Sequence, residues 1–336
     1  MEHRLLGDSG LAVSALALGT MVFGEGKARS ASPEESARIV DRFLEAGGTH
    51  IDTADVYAGG RSEEIVGRAL RGRRDRVVLA TKVRHRTGDG PNDTGLSRRH
   101  LRMAVEASLR RLETEWIDLL YLHAWDPLTP IEETLEALDD LVRAGTVHYV
   151  GISNFSAWQA MKAIGVADAS GLARPVAGQY QYSLLVRDIE WEFTGLFAHE
   201  GVGIVPWGPL AGGFLTGKYR RGERPTEGRI ATQPDQDEEA WHRRATERNW
   251  AVVDEVVAVA AEVGATPSAV ALAWLLSRPA VSSVVIGART IEQLDDDLAA
   301  AGLSLEEAHL ERLERVSAPE APYPYRFQQV YGGRAL

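Results

Sequence analysis

Short apolar runs alternate with longer stretches of helical periodicity along most of the chain. The runs "ALALGT" near Ala15, "THIDT" ending at Thr53, "VVLATK" ending at Lys82 and "IDLLYLH" ending at His123 read as strands. "VHYVGIS" ending at Ser153, "PVAGQYQ" around Gln179, "GIVPW" ending at Trp207 and "SSVVIG" ending at Gly287 continue the series. This rhythm predicts βα units around a parallel sheet, and eight such strands is the number that closes a barrel. Helices are expected from Pro33 to Ala46 behind Ser32 as N-cap, from Ser97 to Leu112, and from Ile131 to Ala144 up to Gly145. Two extended runs flank "GDSG" near the N-terminus and predict a hairpin capping one end of the barrel. From Gly208 to about Glu247 the chain is rich in Gly, Arg, Glu and Pro, and a helix follows from about Asn249 to Val263. That stretch reads as a long mobile loop over the barrel mouth. The expected fold is α/β: a (β/α)₈ TIM barrel with an N-terminal hairpin and a long mouth loop after strand seven, residues 1–336 forming one domain. A doubly wound sheet is the structural competitor, weakened because no GxGxxG follows the first strand.

Composition narrows the functional classes. With 44% hydrophobic and 25% charged residues the chain can build a sizeable core. A net charge of −11 argues against a nucleic-acid partner, which would need a basic surface to displace counterions from phosphates. The absence of cysteine removes disulfides, thiolate metal sites and cysteine nucleophiles, and fits a reducing, cytoplasmic setting. The N-terminus is too polar for a signal peptide, and no apolar run approaches the roughly 20 residues of a membrane helix, so no membrane partner is expected.

In a βα barrel, chemistry sits at the C-terminal ends of the strands. Asp52, Lys82, His123, Ser153, Asn154, Gln179 and Arg289 fall there, and Tyr57 follows the second strand in "DTADVYAGGRSE", whose glycines let the loop bend over the mouth. Reducing a carbonyl needs a hydride donor and an acid for the developing alkoxide. Tyrosine can be that acid once a neighbouring ammonium lowers its pKa from about 10. Lys82 can supply the ammonium, Asp52 can keep it charged, and His123 can orient the carbonyl. Taken singly, Asp52 and Lys82 fit a structural ion pair, His123 a buried polar group and Tyr57 an ordinary loop aromatic; their occurrence in strand order favours one mechanism.

The sequence resembles the aldo-keto reductases, in particular the long-loop branch that includes bacterial reductases and potassium-channel β subunits. The likeness runs from "LGDSGLAVSALALGTM" through "HIDTADVYAGGRSEEIVGRAL", "VVLATKV", "DLLYLHAWDP", "VGISNFS" and "VPWGPLAGGFLTGKY" to "SVVIGARTIEQL". It implies an NADP(H)-dependent oxidoreductase acting on a small carbonyl substrate, with Tyr57 as general acid, Lys82 and Asp52 tuning it, and His123 orienting the substrate. It further implies that Ser153, Asn154 and Gln179 hold the nicotinamide carboxamide and that Trp207 stacks on the ring. Gly19, Thr20 and Met21 would lie beneath nicotinamide and substrate. Gly208, Pro209, Leu210, Gly212 and Lys218 would meet the pyrophosphate. Gly287, Arg289, Gln293 and Asp297 would meet the adenosine end, with Arg289 on the 2′-phosphate. Phe23 and Trp125, together with Tyr180, would line an apolar substrate pocket beside Tyr57 and His123. Two departures bear on the cofactor. Gly208 stands where the family usually has Ser, and Asp297 where it usually has Asn. A carboxylate near a phosphate is unfavourable, so NAD(H) also stays possible. No metal site is expected. Two other functions compete: a cofactor-sensing regulatory subunit, whose relatives tend to lack the histidine kept here as His123, and an aldolase using Lys82 as a Schiff-base amine, which would need that amine neutral.

Overall fold

The computed structural model describes residues 1–24, 30–226, 228, 230–236 and 238–332. A two-stranded antiparallel hairpin, β1 (His3–Leu5) and β2 (Ala12–Ser14), precedes the main sheet. Among the described residues, eight parallel strands follow: β3 (Leu16–Gly19), β4 (His50–Asp52), β5 (Val78–Val83), β6 (Ile117–Leu122), β7 (Val147–Ser153), β8 (Pro175–Gln181), β9 (Gly203–Trp207) and β10 (Val284–Ile286). They pair in the order β10-β3-β4-β5-β6-β7-β8-β9. The two outer strands approach through a bridge between Ile204 and Val281, where Ile204 N–H donates to the Ala280 carbonyl and Ser282 N–H to that of Ile204, each at 2.9 Å. The sheet is thus a nearly closed (β/α)₈ barrel, as the eight apolar runs predict.

Alternation along the strands sorts the core into two shells. On β6, Leu119 and Tyr121 belong to the inner cluster with Ala80, Ala177 and Val205, whereas Leu120 and Leu122 belong to the outer cluster beneath the helices. Each fully buried aliphatic side chain there contributes about 1.5–3 kcal/mol. Leu6 and Val13 from the hairpin complete the inner cluster. Asp8 N–H donates to the Gly201 carbonyl at 2.8 Å, just before β9, so the hairpin caps the N-terminal ends of the strands. Gly7 is required in this cap: it has φ +58°, and a Cβ would lie 2.3 Å from the Gly201 oxygen.

The helices begin where side chains can accept from their first free N–H groups. Ser32 accepts from Glu35 N–H ahead of Pro33–Glu45, Ser97 from His100 N–H ahead of Arg98–Leu112, and Thr246 from Asn249 N–H ahead of Glu247–Val263. Ile131–Arg143 gives way to Gly145 at φ +73°. Within the stretch read as a loop, Gly208 to about Glu247, lie a tight turn over Ala211–Thr216 and a short helix Trp241–Arg244; beyond it the expected helix, here Glu247–Val263, is followed by another, Pro267–Leu276. Among the described residues no single helix is long and apolar enough to cross a membrane.

Candidate active site

Three strand ends and one turn bring the sequence-selected residues together. Asp52 ends β4, Lys82 is the penultimate residue of β5, and His123 directly follows β6. Their strands are neighbours in register, Asp52 beside Ala80 and Lys82 beside Tyr121. Tyr57 is aimed by the turn Tyr57–Gly60, in which Ala58, Gly59 and Gly60 all have positive φ (49°, 64° and 92°). The entry to that turn is pinned by Thr53 N–H on the Ala80 carbonyl (2.9 Å) and Asp55 N–H on the Lys82 carbonyl (3.2 Å).

Lys82 is wholly buried and Asp52 nearly so. The Lys82 Nζ donates to Asp52 Oδ1 at 2.5 Å, to the Thr53 carbonyl at 2.8 Å and to the Tyr57 hydroxyl at 3.3 Å. Burial, the largest single influence on this amine, opposes its charge. The charges of Asp52 and Tyr57, with hydrogen bonds to both, outweigh burial and hold the Lys82 pKa above its usual value. The aldolase reading, which needs a neutral amine, is therefore disfavoured. His123 is pushed the other way, down to about 2, by burial and then by the charges of Lys82, His85 and Arg84. It is a neutral imidazole at physiological pH, able to donate one hydrogen bond to a carbonyl. Its ring meets Tyr57 edge-on, centroids 6.1 Å apart, and His85 at 4.5 Å.

The next strand ends form a polar rim beside this group. Asn154, at φ +55°, donates through Nδ2 to the His123 carbonyl and to Ser153 Oγ, both at 3.0 Å, and accepts from Trp207 Nε1 at 3.2 Å. Ser153 Oγ donates to the Gln179 carbonyl at 2.8 Å, and Gln179 Nε2 donates to Asp52 Oδ2 at 2.8 Å. On the other flank Gly19 lies beside Asp52 in register and packs on Val285, while Thr20 Oγ1 donates to the Asp52 carbonyl at 3.1 Å. Met21 is exposed.

Beyond Trp207 the chain turns through Gly208, Ala211, Gly212 and Gly213, all at positive φ. Pro209 is buried and Leu210 packs on the core. Lys218 lies against Gly213, and its pKa is lowered by burial and then by the charge of Arg289. Among the described residues neither makes an ion pair, the arrangement expected of a site that receives an anion. Arg289 N–H donates to Gln293 Oε1 at 3.0 Å, next to exposed Gly287 at the end of β10. Asp297 is buried, and burial followed by Asp296 drives its carboxyl well above the usual range. Burial thus opposes charge on this carboxyl, which weakens the electrostatic objection to Asp297 near a phosphate.

Two expected pocket aromatics lie elsewhere. Phe23 has no exposed surface and sits in the outer core cluster, while Tyr180 is packed against Phe193 and Phe197 at 4.4 and 5.6 Å. Trp125 is half-buried, edge-on to Phe155 and Trp158. Three residues near the group were not singled out from the sequence. His85 could have been, lying three positions after Lys82. Asp55, inside "DTADVYAGGRSE", is buried, with neither carboxylate oxygen hydrogen-bonded among the described residues. Glu63, also buried, accepts from Thr81 Oγ1 and Arg111 Nε, each at 2.6 Å, and so ties the helix Arg61–Ala69 to β5 and to Arg98–Leu112.

The profile of the Aldo/keto reductase family matches residues 15–318, from the residue before β3 to just past the helix Glu307–Ser317. The chain belongs to the aldo/keto reductase family. The matched span of this aldo/keto reductase contains the eight barrel strands and the four residues around Lys82. Its relatives include a probable voltage-gated potassium channel subunit beta of Arabidopsis thaliana, 37% identical over 97% of this chain and 100% of the relative. An uncharacterized oxidoreductase of Bacillus subtilis, YrpG, is 39% identical over 94% and 96%. The versiconal hemiacetal acetate reductase of Aspergillus parasiticus is 34% identical over 96% and 99%.

Proposed function

We propose that this aldo/keto reductase is an NADP(H)-dependent enzyme that reduces small aldehydes or ketones to alcohols, with Asp52, Tyr57, Lys82 and His123 as its catalytic group. The observation that carries the reading is the buried Lys82 ammonium, charged by contact with Asp52 and 3.3 Å from the Tyr57 hydroxyl. A positive charge so placed favours the phenolate, making Tyr57 a more willing proton donor near neutrality. Neutral His123 donates to the same carbonyl oxygen and aligns it beside Tyr57. The bound nicotinamide supplies or accepts the hydride. Ser153, Asn154 and Gln179 present matched donors and acceptors for its carboxamide, Trp207 a ring face, and the Gly208–Gly213 turn with Lys218 the pyrophosphate contacts. The charge of Arg289, without an ion pair among the described residues, supports a 2′-phosphate and hence NADP over NAD.

The test mixes purified protein with NADPH and a panel of aldehydes and ketones, following absorbance of the reduced cofactor. Turnover is expected. Tight cofactor binding without turnover on any member would replace this reading with a cofactor-sensing subunit, the alternative favoured by the similarity to channel β subunits.

A further inference from the structure

Gln179 is spent in an unexpected direction. Its strand, β8, lies opposite β4 in the barrel: three strands separate the two on either side of the ring. Yet the Gln179 amide reaches across the lumen and donates to Asp52 Oδ2 at 2.8 Å. The other Asp52 oxygen is held by Lys82. Both partners of this strut are nearly without exposed surface, Gln179 at 3% and Asp52 at 2%. In such a place an unbonded carboxylate oxygen would be costly, and a carboxylate bonded at one oxygen alone could rotate.

Building on the proposed reductase reading, we infer that Gln179 is a positioning residue for the proton donor, holding Asp52 from across the barrel and acting through Lys82 on Tyr57. The strut fixes the plane of the carboxylate and hence the ammonium 3.3 Å from the Tyr57 hydroxyl. Its amide dipole also turns its positive end toward Asp52, so that less of the carboxylate's field offsets Lys82 at the phenol. The other groups facing this network are His50 on β4, Asp55 in the turn after it, Arg84 and His85 after β5, Tyr121 on β6 and His123 after β6. None of them bonds to Asp52 Oδ2. Ser153 Oγ, donating to the Gln179 carbonyl at 2.8 Å, secures the backbone at the strut's base.

The test reads Tyr57 directly, without cofactor or turnover. Phenolate absorbance is titrated against pH in the wild type and in Q179M, each compared with its own Y57F partner to isolate Tyr57. Removing the donor is expected to raise the Tyr57 midpoint by about half a pH unit or more. Q179L, a second apolar replacement of similar volume, likewise removes the donor without placing a new charge beside Asp52, and is expected to raise the midpoint by a similar amount. Circular dichroism verifies the fold of each variant. Unchanged midpoints in folded variants, with only NADPH affinity reduced, would show Gln179 to be a cofactor contact alone and overturn the inference. A wild type that turns over no carbonyl would refute the reductase reading separately, because the phenol titration does not depend on it.

Discussion

Replacing Asp55 by Asn should stabilise the protein, increasingly so as the pH rises from 5 to 8. Burial, followed by the charge of Glu63, raises the Asp55 carboxyl from 3.8 to about 7, against smaller lowering influences from Arg111, the Val56 backbone and Lys82. The folded chain therefore keeps a proton that the unfolded chain gives up between these two values. In that window the native state binds more protons, and the contribution of Asp55 to stability falls as pH rises. It is fully present below the unfolded pKa and is lost by the time the pH has passed about 7. At roughly 1.4 kcal/mol per unit, the two units between pH 5 and pH 7 correspond to about 3 kcal/mol as an upper figure. Asparagine fills the same volume without titrating, and its amide inherits the same unbonded surroundings, so the cost of an unpaired polar group largely cancels. Urea unfolding of the wild type and D55N at pH 5 and pH 8 measures the effect, because contributions from other groups cancel in the difference. An advantage for D55N that grows by about 1–3 kcal/mol is expected. An equal difference at both pH values would refute the buried, proton-holding carboxyl.

The remaining predictions concern the site and its scaffold. Tyr57→Phe should reduce carbonyl turnover by about 10²–10⁴-fold while sparing NADPH binding measured by fluorescence, and near-normal turnover would end the assignment of the acid. Lys82→Met leaves Asp52 buried beside no cation, so it should lower thermal stability by about 3–5 kcal/mol as well as activity, checked by chemical unfolding. Arg289→Ala should narrow the preference for NADPH over NADH by roughly tenfold in KM, the loss of one charge-assisted contact; an unchanged ratio would move the 2′-phosphate elsewhere. Gly67→Ala would set a Cβ 2.6 Å from the Leu112 carbonyl, where the helix Arg61–Ala69 meets Arg98–Leu112. That overpacking should cost about 1–3 kcal/mol in urea.

What the sequence reveals here follows from which forces leave a local trace. The barrel strands are short apolar runs bounded by polar or glycine-rich segments, and each observed strand falls within or close to its run. The helix Pro267–Leu276 is missed for the opposite reason. Eight of its ten residues are buried, so it carries no polar stripe and no 3.6-residue period to find. The turn at Ala211–Thr216 is hidden because glycines at positive φ look the same in sequence whether they serve a loop or a tight turn. In the site, the group around Lys82 is legible because barrel topology assigns chemistry to strand ends. Phe23 shows the limit of that rule: a position near a strand end does not say which way a side chain faces, and this one turns into the core. Asp55 and Gln179 show a second limit. Asp55 looks like any acidic loop residue until burial strips its solvent, and the Gln179 strut joins residues 127 positions apart. Only closure of the barrel brings Gln179 and Asp52 face to face, so the electrostatics of the proposed proton donor depend on topology as much as on residue type.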